Sequence, residues 1–157
     1  IERTLALNHL AYFHLTLSLL DLLEKSGNAR IINVASDAHR SIKKCIEFDD
    51  LMFTKKYDPF TVYAHSKLAN LLFTFELARR LDGKPITVNA LHPGMIGTNI
   101  ARRYPLVISF LWKALLPGPA KGAATSVYLA SSPAVQGQTG KYWKDKQGSG
   151  SGPAGRC

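Results

Sequence analysis

Apolar residues in the first part of the chain follow two different spacings, which predict two kinds of element. Residues 2 to about 25 carry leucines near a 3.6-residue period, which predicts a long helix that ends at the run SGN. Residues 30–35, RIINVA, are almost all apolar and predict a short strand buried on both faces. Residues 37–59 are polar and irregular, and they predict a long loop of the kind usually kept for function.

The same alternation continues along the rest of the chain. The clearest helix is predicted over residues 60–81, and a second buried strand, ITVNALH, over residues 86–92. The remaining predicted elements are a loop or lid with short helices at 98–117, a helix at 120–131 and a short strand at 140–143.

Helices that alternate with short apolar strands predict an α/β fold with right-handed crossovers and a parallel sheet covered on both faces. A sheet with only two firm strands would leave its first strand without a neighbour on one side. We therefore expect the second half of a doubly wound parallel sheet, formed by residues 1–143. The Gly/Ser-rich residues 144–157 predict a flexible tail.

Charge and composition narrow the function classes. The net charge is +9, but the basic residues are scattered, which favours a solvated surface over a nucleic-acid site. The five histidines form no H-E-x-x-H run and no Cys/His cluster, so no metal site is predicted. The spacing of Cys45 and Cys157 is typical of neither a disulfide framework nor a metal site, which favours a reducing, intracellular setting.

Tyr63 and Lys67 are the first candidates for chemistry. They lie four residues apart on the clearest helix, so their side chains share one face. A free tyrosine has a pKa of about 10, and a nearby ammonium favours the phenolate. Such a pair suits acid–base work on an alcohol or a carbonyl. The spacing alone is common by chance, and the alternative is a surface pair without a role.

The surroundings favour the catalytic interpretation. Ser36 follows the first buried strand and Pro93-Gly94 follows the second, and ligands of open α/β sheets bind at the carboxyl ends of strands. These residues and the start of the Tyr63 helix could therefore reach one crevice. Asn8 is a polar residue in an apolar helical stretch, and by itself would be a packing or capping amide.

Taken together, the motifs resemble the short-chain dehydrogenase/reductase superfamily, and within it the retinol-dehydrogenase-like group. The resemblance covers residues 1 to about 143, and its ordered combination of segments is more specific than any single motif. The matching segments are LALNHLAYFHLT, RIINVASDAH, FDDL, YAHSKLANLLFTFELARRL, ITVNALHPGMIGTNI and GAATSVYLASSPAVQGQTGKYW.

The resemblance implies a Rossmann-like fold and a role for each matching residue. Tyr63 would be the catalytic acid/base, and Lys67 would hold the nicotinamide ribose and favour ionisation of Tyr63. Ser36 would bind the substrate oxygen, and Asn8 would support a water in the proton relay. The residues that would line the nicotinamide and its phosphate side are Pro93, Gly94, Ile96 and Thr98.

The resemblance also implies the cofactor and the partners. The cofactor would be NADP(H) or NAD(H), with NADP favoured by resemblance alone, and a homodimer through the two long helices is plausible. The apolar residues of the expected lid, about 99–117, suit a small hydrophobic alcohol, aldehyde or ketone as substrate. Residues 104–117 could instead contact a membrane surface, so we expect a cytoplasmic or membrane-associated protein.

Two departures from the family pattern leave a second function open. Ala35 stands where the group usually has a serine, one position before Ser36. More importantly, the sequence holds no TGxxxGxG loop and no NNAG run, which in the family precede the matched region. A helix N-terminus that would cradle the pyrophosphate is then missing. The alternative to an oxidoreductase is thus a catalytically inactive fragment or an interaction scaffold of the same fold.

Overall fold

The computed structural model describes residues 2–43, 45–94, 96 and 117–149. Within this part of the chain, helices and strands alternate as the hydrophobic pattern predicts. The elements are α1 (Arg3–Leu5), a π-helical turn (Ala6–Leu10), α2 (Ala11–Lys25), β1 (Ala29–Val34), α3 (Pro59–Arg80), β2 (Ile86–His92), α4 (Pro119–Ser131), β3 (Tyr142–Lys144) and β4 (Gln147–Ser149).

The strands form a sheet with the order β1-β2-β3-β4 among the described residues. β1 pairs with β2 in parallel, from Ala29 opposite Ile86 to Val34 opposite Leu91, and β2 pairs in parallel with β3. The predicted α/β fold with a parallel sheet is confirmed. β1 lies at one edge of the sheet, as expected for the second half of a doubly wound domain.

Helices on both faces of the sheet explain why the strands are apolar. β2 is the most buried strand, with five of its seven residues buried. On one face Leu77 of α3 packs in a cluster with Ile31 and Val88, and on the other Leu129 of α4 packs with Leu91. An almost continuous apolar run is the pattern that such two-sided burial requires.

Capping interactions fix the ends of two helices. Asp58 caps α3 by accepting a hydrogen bond from the Thr61 amide at 2.8 Å, and proline occupies the first turn. At the other end of the sheet, the Arg30 guanidinium donates to the carbonyls of Leu129 and Ser132, both at 2.9 Å. These bonds satisfy carbonyls at the C-terminus of α4 and anchor it to β1.

The first helix differs from its prediction in two ways. A π-helical turn interrupts it at Ala6–Leu10, which no apolar periodicity shows. In addition, none of the residues of α2 is buried, and Leu15 and Leu22 are 62% and 65% exposed. The apolar side chains that predict this helix therefore form, in part, a surface that the described residues leave uncovered.

Two segments predicted to be irregular contain regular structure. The loop at 37–59 holds 3₁₀ helices at Asp37–Ser41 and Phe48–Asp50. The tail predicted to begin at residue 144 was placed wrongly, because β4 pairs antiparallel with β3 up to Ser149. Asp145 and Lys146 between these strands both have positive φ angles, of 50° and 63°. A two-residue hairpin needs this geometry, but Asp-Lys is a weak signal for it.

Two further features bear on the sequence predictions. Cys45 is disulfide-bonded, which differs from the expectation of reduced cysteines, because spacing along the chain does not report distance in space. Among the described residues, no helix is long and apolar enough to cross a membrane.

Candidate functional site

The Lys67 side chain lies at the carboxyl end of β1. Its Nζ donates a hydrogen bond to the Val34 carbonyl at 3.0 Å, and the residue is 8% exposed. Burial lowers its pKa from the ordinary value of 10.5. An ammonium has three donors, so two remain without an acceptor among the residues that the structure describes.

Tyr63 lies one turn before Lys67 on the same face of α3. The Lys67 Nζ is 5.7 Å from the centre of the Tyr63 ring and 5.9 Å from that of Tyr12. Tyr63 is 36% exposed, and its hydroxyl makes no hydrogen bond to any residue that the structure describes. A phenol with a free hydroxyl therefore stands beside a buried cation, as the spacing of the two residues predicts.

Ser36 follows β1 by two residues, so it lies just beyond the carbonyl that binds Lys67. Its Oγ accepts a hydrogen bond from the Ala38 amide at 3.2 Å, as the N-cap of a 3₁₀ helix. A hydroxyl has one hydrogen to donate. Within the described part of the chain that hydrogen has no acceptor, so it is available to the oxygen of a ligand.

Asp37, which sequence reasoning missed, anchors the loop that carries Ser36. Its carboxylate accepts from Lys144 Nζ at 2.7 Å and from the Tyr142 hydroxyl at 2.9 Å, both on β3. Its backbone amide donates to His92 Nδ1 at 3.3 Å, at the end of β2. Asp37 therefore ties the ends of β1, β2 and β3 together next to Ser36.

The same contacts set the ionisation of Asp37 and Tyr142. Burial opposes the charge of Asp37, but hydrogen bonds from Lys144 and Tyr142 and the charges of His92 and Lys144 lower its pKa from 3.8 to about 2. Burial, the bond to Asp37 and its charge raise the pKa of Tyr142, with a smaller contribution from Tyr63. Asp37 is thus an anion at neutral pH and Tyr142 a neutral donor.

Two histidines pack around this loop, and their partners define their tautomers. His39 Nδ1 is 2.6 Å from the Ser36 carbonyl and must donate to it, since a carbonyl only accepts. His92 Nδ1 accepts from the Asp37 amide, so the proton of a neutral His92 lies on Nε2, 3.7 Å from the Asp37 carboxylate. Burial lowers the pKa of both rings. Both contacts support the loop beside Ser36, as expected for packing residues.

Asn8 lies in the π-helical turn and contacts α3 twice. Its Nδ2 donates to Ser66 Oγ at 3.1 Å, and its backbone carbonyl accepts from Asn70 Nδ2 at 2.8 Å. Ser66 in turn donates to the carbonyl of Tyr63 at 2.7 Å. The structure therefore links Asn8 to the turn of α3 that bears Tyr63, three residues before Ser66.

The residues predicted to line a nicotinamide follow β2. Gly94 has φ +86°, a left-handed conformation that favours glycine, and it turns the chain sharply after Pro93. The Ile96 side chain packs against α4, where a Cβ on Gly122 would lie 2.6 Å from Ile96 Cδ1. Thr98 and the expected lid up to residue 116 lie outside the described residues.

Comparisons of the whole chain with known proteins identify similar sequences. The chain is 45% identical over 150 residues to retinol dehydrogenase 14 of Homo sapiens, covering 92% of this chain and 44% of that protein. It is 42% identical over 147 residues to retinol dehydrogenase 12 of Homo sapiens, covering 92% of this chain and 46% of that protein. No family model matches the chain.

A solved structure shows the same fold. A short chain dehydrogenase from Shigella flexneri 2a str. 301, complexed with NADP, superposes with a TM-score of 0.68 over 91% of this chain and 52% of its own. Its sequence is 23% identical, so this likeness concerns the fold alone.

The fold and the sequence identities define the class: the chain belongs to the short-chain dehydrogenase/reductase superfamily. Within it, the similarity to retinol dehydrogenases 12 and 14 identifies the retinol-dehydrogenase-like group, as the motifs predict. The chain spans about half the length of the curated relatives it matches.

Proposed function

We propose that the protein is an oxidoreductase that interconverts a hydrophobic alcohol and its aldehyde or ketone with NAD(P)(H). The observation that carries this proposal is the buried Lys67 ammonium beside the Tyr63 ring, held at the carboxyl end of β1 two residues before Ser36. The names of the relatives support an alcohol as substrate, and the NADP complex of the Shigella flexneri protein supports the cofactor class.

The residues present fit the nicotinamide end of such a cofactor. Lys67 Nζ has two donors left after its bond to Val34 O, which suits the hydroxyls of a ribose. The residues that would line the nicotinamide are Pro93, Gly94, Ile96 and Thr98. When bound, the cofactor supplies hydride transfer to or from the carbinol carbon.

The chain's own residues handle the proton and the substrate oxygen. In alcohol oxidation, Ser36 Oγ donates a hydrogen bond to the substrate oxygen and orients it toward Tyr63. The Tyr63 side-chain oxygen then accepts the hydroxyl proton as the general base. In the reverse reaction, Tyr63 donates this proton to the carbonyl oxygen. Asn8 supports a water through which the proton exchanges with solvent.

The role of Ser36 gives an experiment that tests the proposal. Ser36→Ala removes the donor to the substrate oxygen, and we expect kcat for retinol oxidation to fall about 100- to 1,000-fold, as for loss of one oxyanion-type donor. Ser41→Ala is the matched control, because Ser41 Oγ donates only to the nearby Ala38 carbonyl. Equal activity of both variants would contradict the proposed role of Ser36.

The inactive fragment or scaffold is tested by cofactor binding to this 157-residue chain. Calorimetric titration with NADPH should show saturable binding if the chain itself is an oxidoreductase. Heats no larger than those of dilution would favour the inactive form for the chain by itself.

The exposed apolar side chains of α2, such as Leu15 and Leu22, support the predicted homodimer. Whether the protein is cytoplasmic or membrane-associated stays a prediction.

A further inference from the structure

The buried side chain of Asn70 contacts two consecutive residues of the π-helical turn. Its Nδ2 donates to the Asn8 backbone carbonyl at 2.8 Å, and its Oδ1 lies 3.0 Å from His9 Nδ1. Asn70 is 0% exposed and Asn8 and His9 are half-buried, so both bonds are partly shielded from water. Hydrogen bonds in such surroundings are stronger than exposed ones, and leaving a partner unsatisfied is costly.

The Asn8 carbonyl determines which way the Asn70 amide faces. A carbonyl can only accept, so the Asn70 Nδ2 faces it, and the Oδ1 atom then accepts from His9 Nδ1. A flipped amide would place an acceptor against the carbonyl of Asn8. The pair His9 and Asn70 therefore has one satisfied arrangement.

A second connection joins the same turn to the segment that bears Tyr63. Asn8 Nδ2 donates to Ser66 Oγ, which donates to the Tyr63 carbonyl at 2.7 Å. Ser66 is buried and lies one turn before Asn70 on α3. Asn8 is thus attached to α3 through both its backbone and its side chain, and the side-chain connection ends at Tyr63.

The backbone of this turn needs outside support. Ala11 N–H donates to the Ala6 carbonyl, which is the i→i+5 bond of a π-helical turn. Such turns are rare, and they occur mostly as single bulges in α-helices, often at functional sites. The contacts of Asn70 fall on Asn8 and His9, in the middle of this turn.

We propose that Asn70 is a positioning residue. It holds the π-helical turn in place, and this keeps the Asn8 side chain aligned with the turn of α3 that bears Tyr63. The inference rests on the function proposed for Tyr63 and Asn8. Asn70 itself makes no contact with the reacting groups, and it acts through Asn8.

Thr74 provides a matched control on the same helix. It is buried, donates to the Asn70 backbone carbonyl at 2.7 Å and accepts from Asn33 Nδ2 at 2.9 Å, but it does not contact the π-helical turn. Thr74→Val and Asn70→Leu both replace a buried polar side chain by an apolar one of similar size. Both should lower stability, whereas the proposal concerns Asn70 alone.

The first measurement is steady-state kinetics of retinol oxidation. We expect Asn70→Leu to lower kcat about 10- to 100-fold, as for other residues that orient a catalytic group, with KM nearly unchanged. Thr74→Val should keep kcat within about twofold of the unchanged protein, the scale of a remote substitution. Equal kcat for these two variants would overturn the proposal.

The second measurement does not depend on activity. Hydrogen exchange of the Ala11 amide reports whether the i→i+5 bond is closed, and it should become at least about tenfold faster in Asn70→Leu but not in Thr74→Val. If the unchanged protein oxidises no alcohol, the proposed function fails while this exchange still tests Asn70. Unchanged exchange at Ala11 would overturn the positioning role.

A third pair of variants covers the case in which Asn70→Leu does not fold. His9→Leu removes the donor to the Asn70 Oδ1, whereas His9→Gln supplies an amide donor in its place. We expect faster Ala11 exchange in His9→Leu and recovery toward the unchanged rate in His9→Gln. Equal exchange rates in these two variants would also contradict the proposal.

Discussion

At the scale of single residues, Asp37 connects the loop of Ser36 to the neighbouring strands. Its carboxylate binds Lys144 and Tyr142, and its amide binds His92, so the loop that carries Ser36 is attached to two further strands. These partners lie 55 to 107 residues away along the chain. No local pattern of apolar and polar residues could predict such contacts.

The lowered pKa of Asp37 predicts a pH dependence of stability. The stabilisation from this carboxylate is fully present above its unfolded pKa of 3.8 and is lost as the pH falls toward its folded pKa of about 2. Asp37→Asn removes this dependence, so its free energy of unfolding should fall less than that of the unchanged protein between pH 5 and pH 3. Urea unfolding at both values measures the difference.

Asp49→Asn is the control for this prediction, because Asp49 lies in a separate 3₁₀ helix outside the Asp37 cluster. The Asp37 carboxylate is intact in this variant, so its free energy of unfolding should still fall more between pH 5 and pH 3 than that of Asp37→Asn. An Asp37→Asn variant that loses as much stability on acidification as the unchanged protein would contradict the role assigned to the carboxylate.

At the scale of elements, the hairpin of β3 and β4 departs most clearly from the prediction. Gly148 of β4 packs against the ring of Trp143, where a Cβ would lie 3.0 Å from Cε2 and Cζ2. The small residues that favour a flexible tail are thus also the ones that allow β4 to lie over an indole. Composition alone cannot distinguish these two uses of glycine.

This hairpin gives a prediction for truncated chains. A chain that ends at residue 144 keeps β3 but lacks three cross-strand pairs, from Tyr142 opposite Ser149 to Lys144 opposite Gln147. At roughly 0.2–1 kcal/mol for each pair, we expect it to be about 1–2 kcal/mol less stable than a chain that ends at residue 149. Denaturant unfolding of both chains measures this difference. Equal stability would show that β4 contributes nothing to the fold.

For the π-helical turn, the sequence indicates a candidate functional residue but does not predict the local structure. The sequence singles out Asn8 as a polar residue in an apolar stretch, and the family resemblance gives it a role in a proton relay. The turn itself depends on Asn70, about sixty positions away, so it is a tertiary feature. Helical periodicity over residues 2–25 therefore predicts the helix but not its interruption.

At the scale of the whole molecule, the order of helices and strands followed from the hydrophobic pattern. Two-sided burial makes β1 and β2 apolar along their length, and the caps of α3 are local signals, so these elements were predictable. The position of the candidate site was predictable in outline, because the carboxyl ends of parallel strands share one edge of a sheet. Its exact contacts were not, since Lys67, Val34 and Asp37 meet through tertiary packing.

The molecule also shows why a common four-residue spacing can carry function. Tyr63 and Lys67 would be an ordinary surface pair on an isolated helix. Packing of α3 against the sheet buries Lys67 and brings its Nζ to the Val34 carbonyl, while Tyr63 stays 36% exposed. The same helix contacts the 3₁₀ helix that follows Ser36. The fold therefore turns a sequence pattern of low specificity into a candidate acid–base site.

The most direct test of this account is the turnover of the Tyr63→Phe variant, with Tyr57→Phe as its control. Tyr57 is 56% exposed and lies in the loop before α3, outside the site. We expect Tyr63→Phe to lower kcat for retinol oxidation about 100- to 10,000-fold, the range for loss of a general acid–base group. NADP(H) binding and stability should stay close to those of Tyr57→Phe. A Tyr63→Phe variant that turns over as fast as Tyr57→Phe would contradict the assignment of Tyr63 as the acid/base.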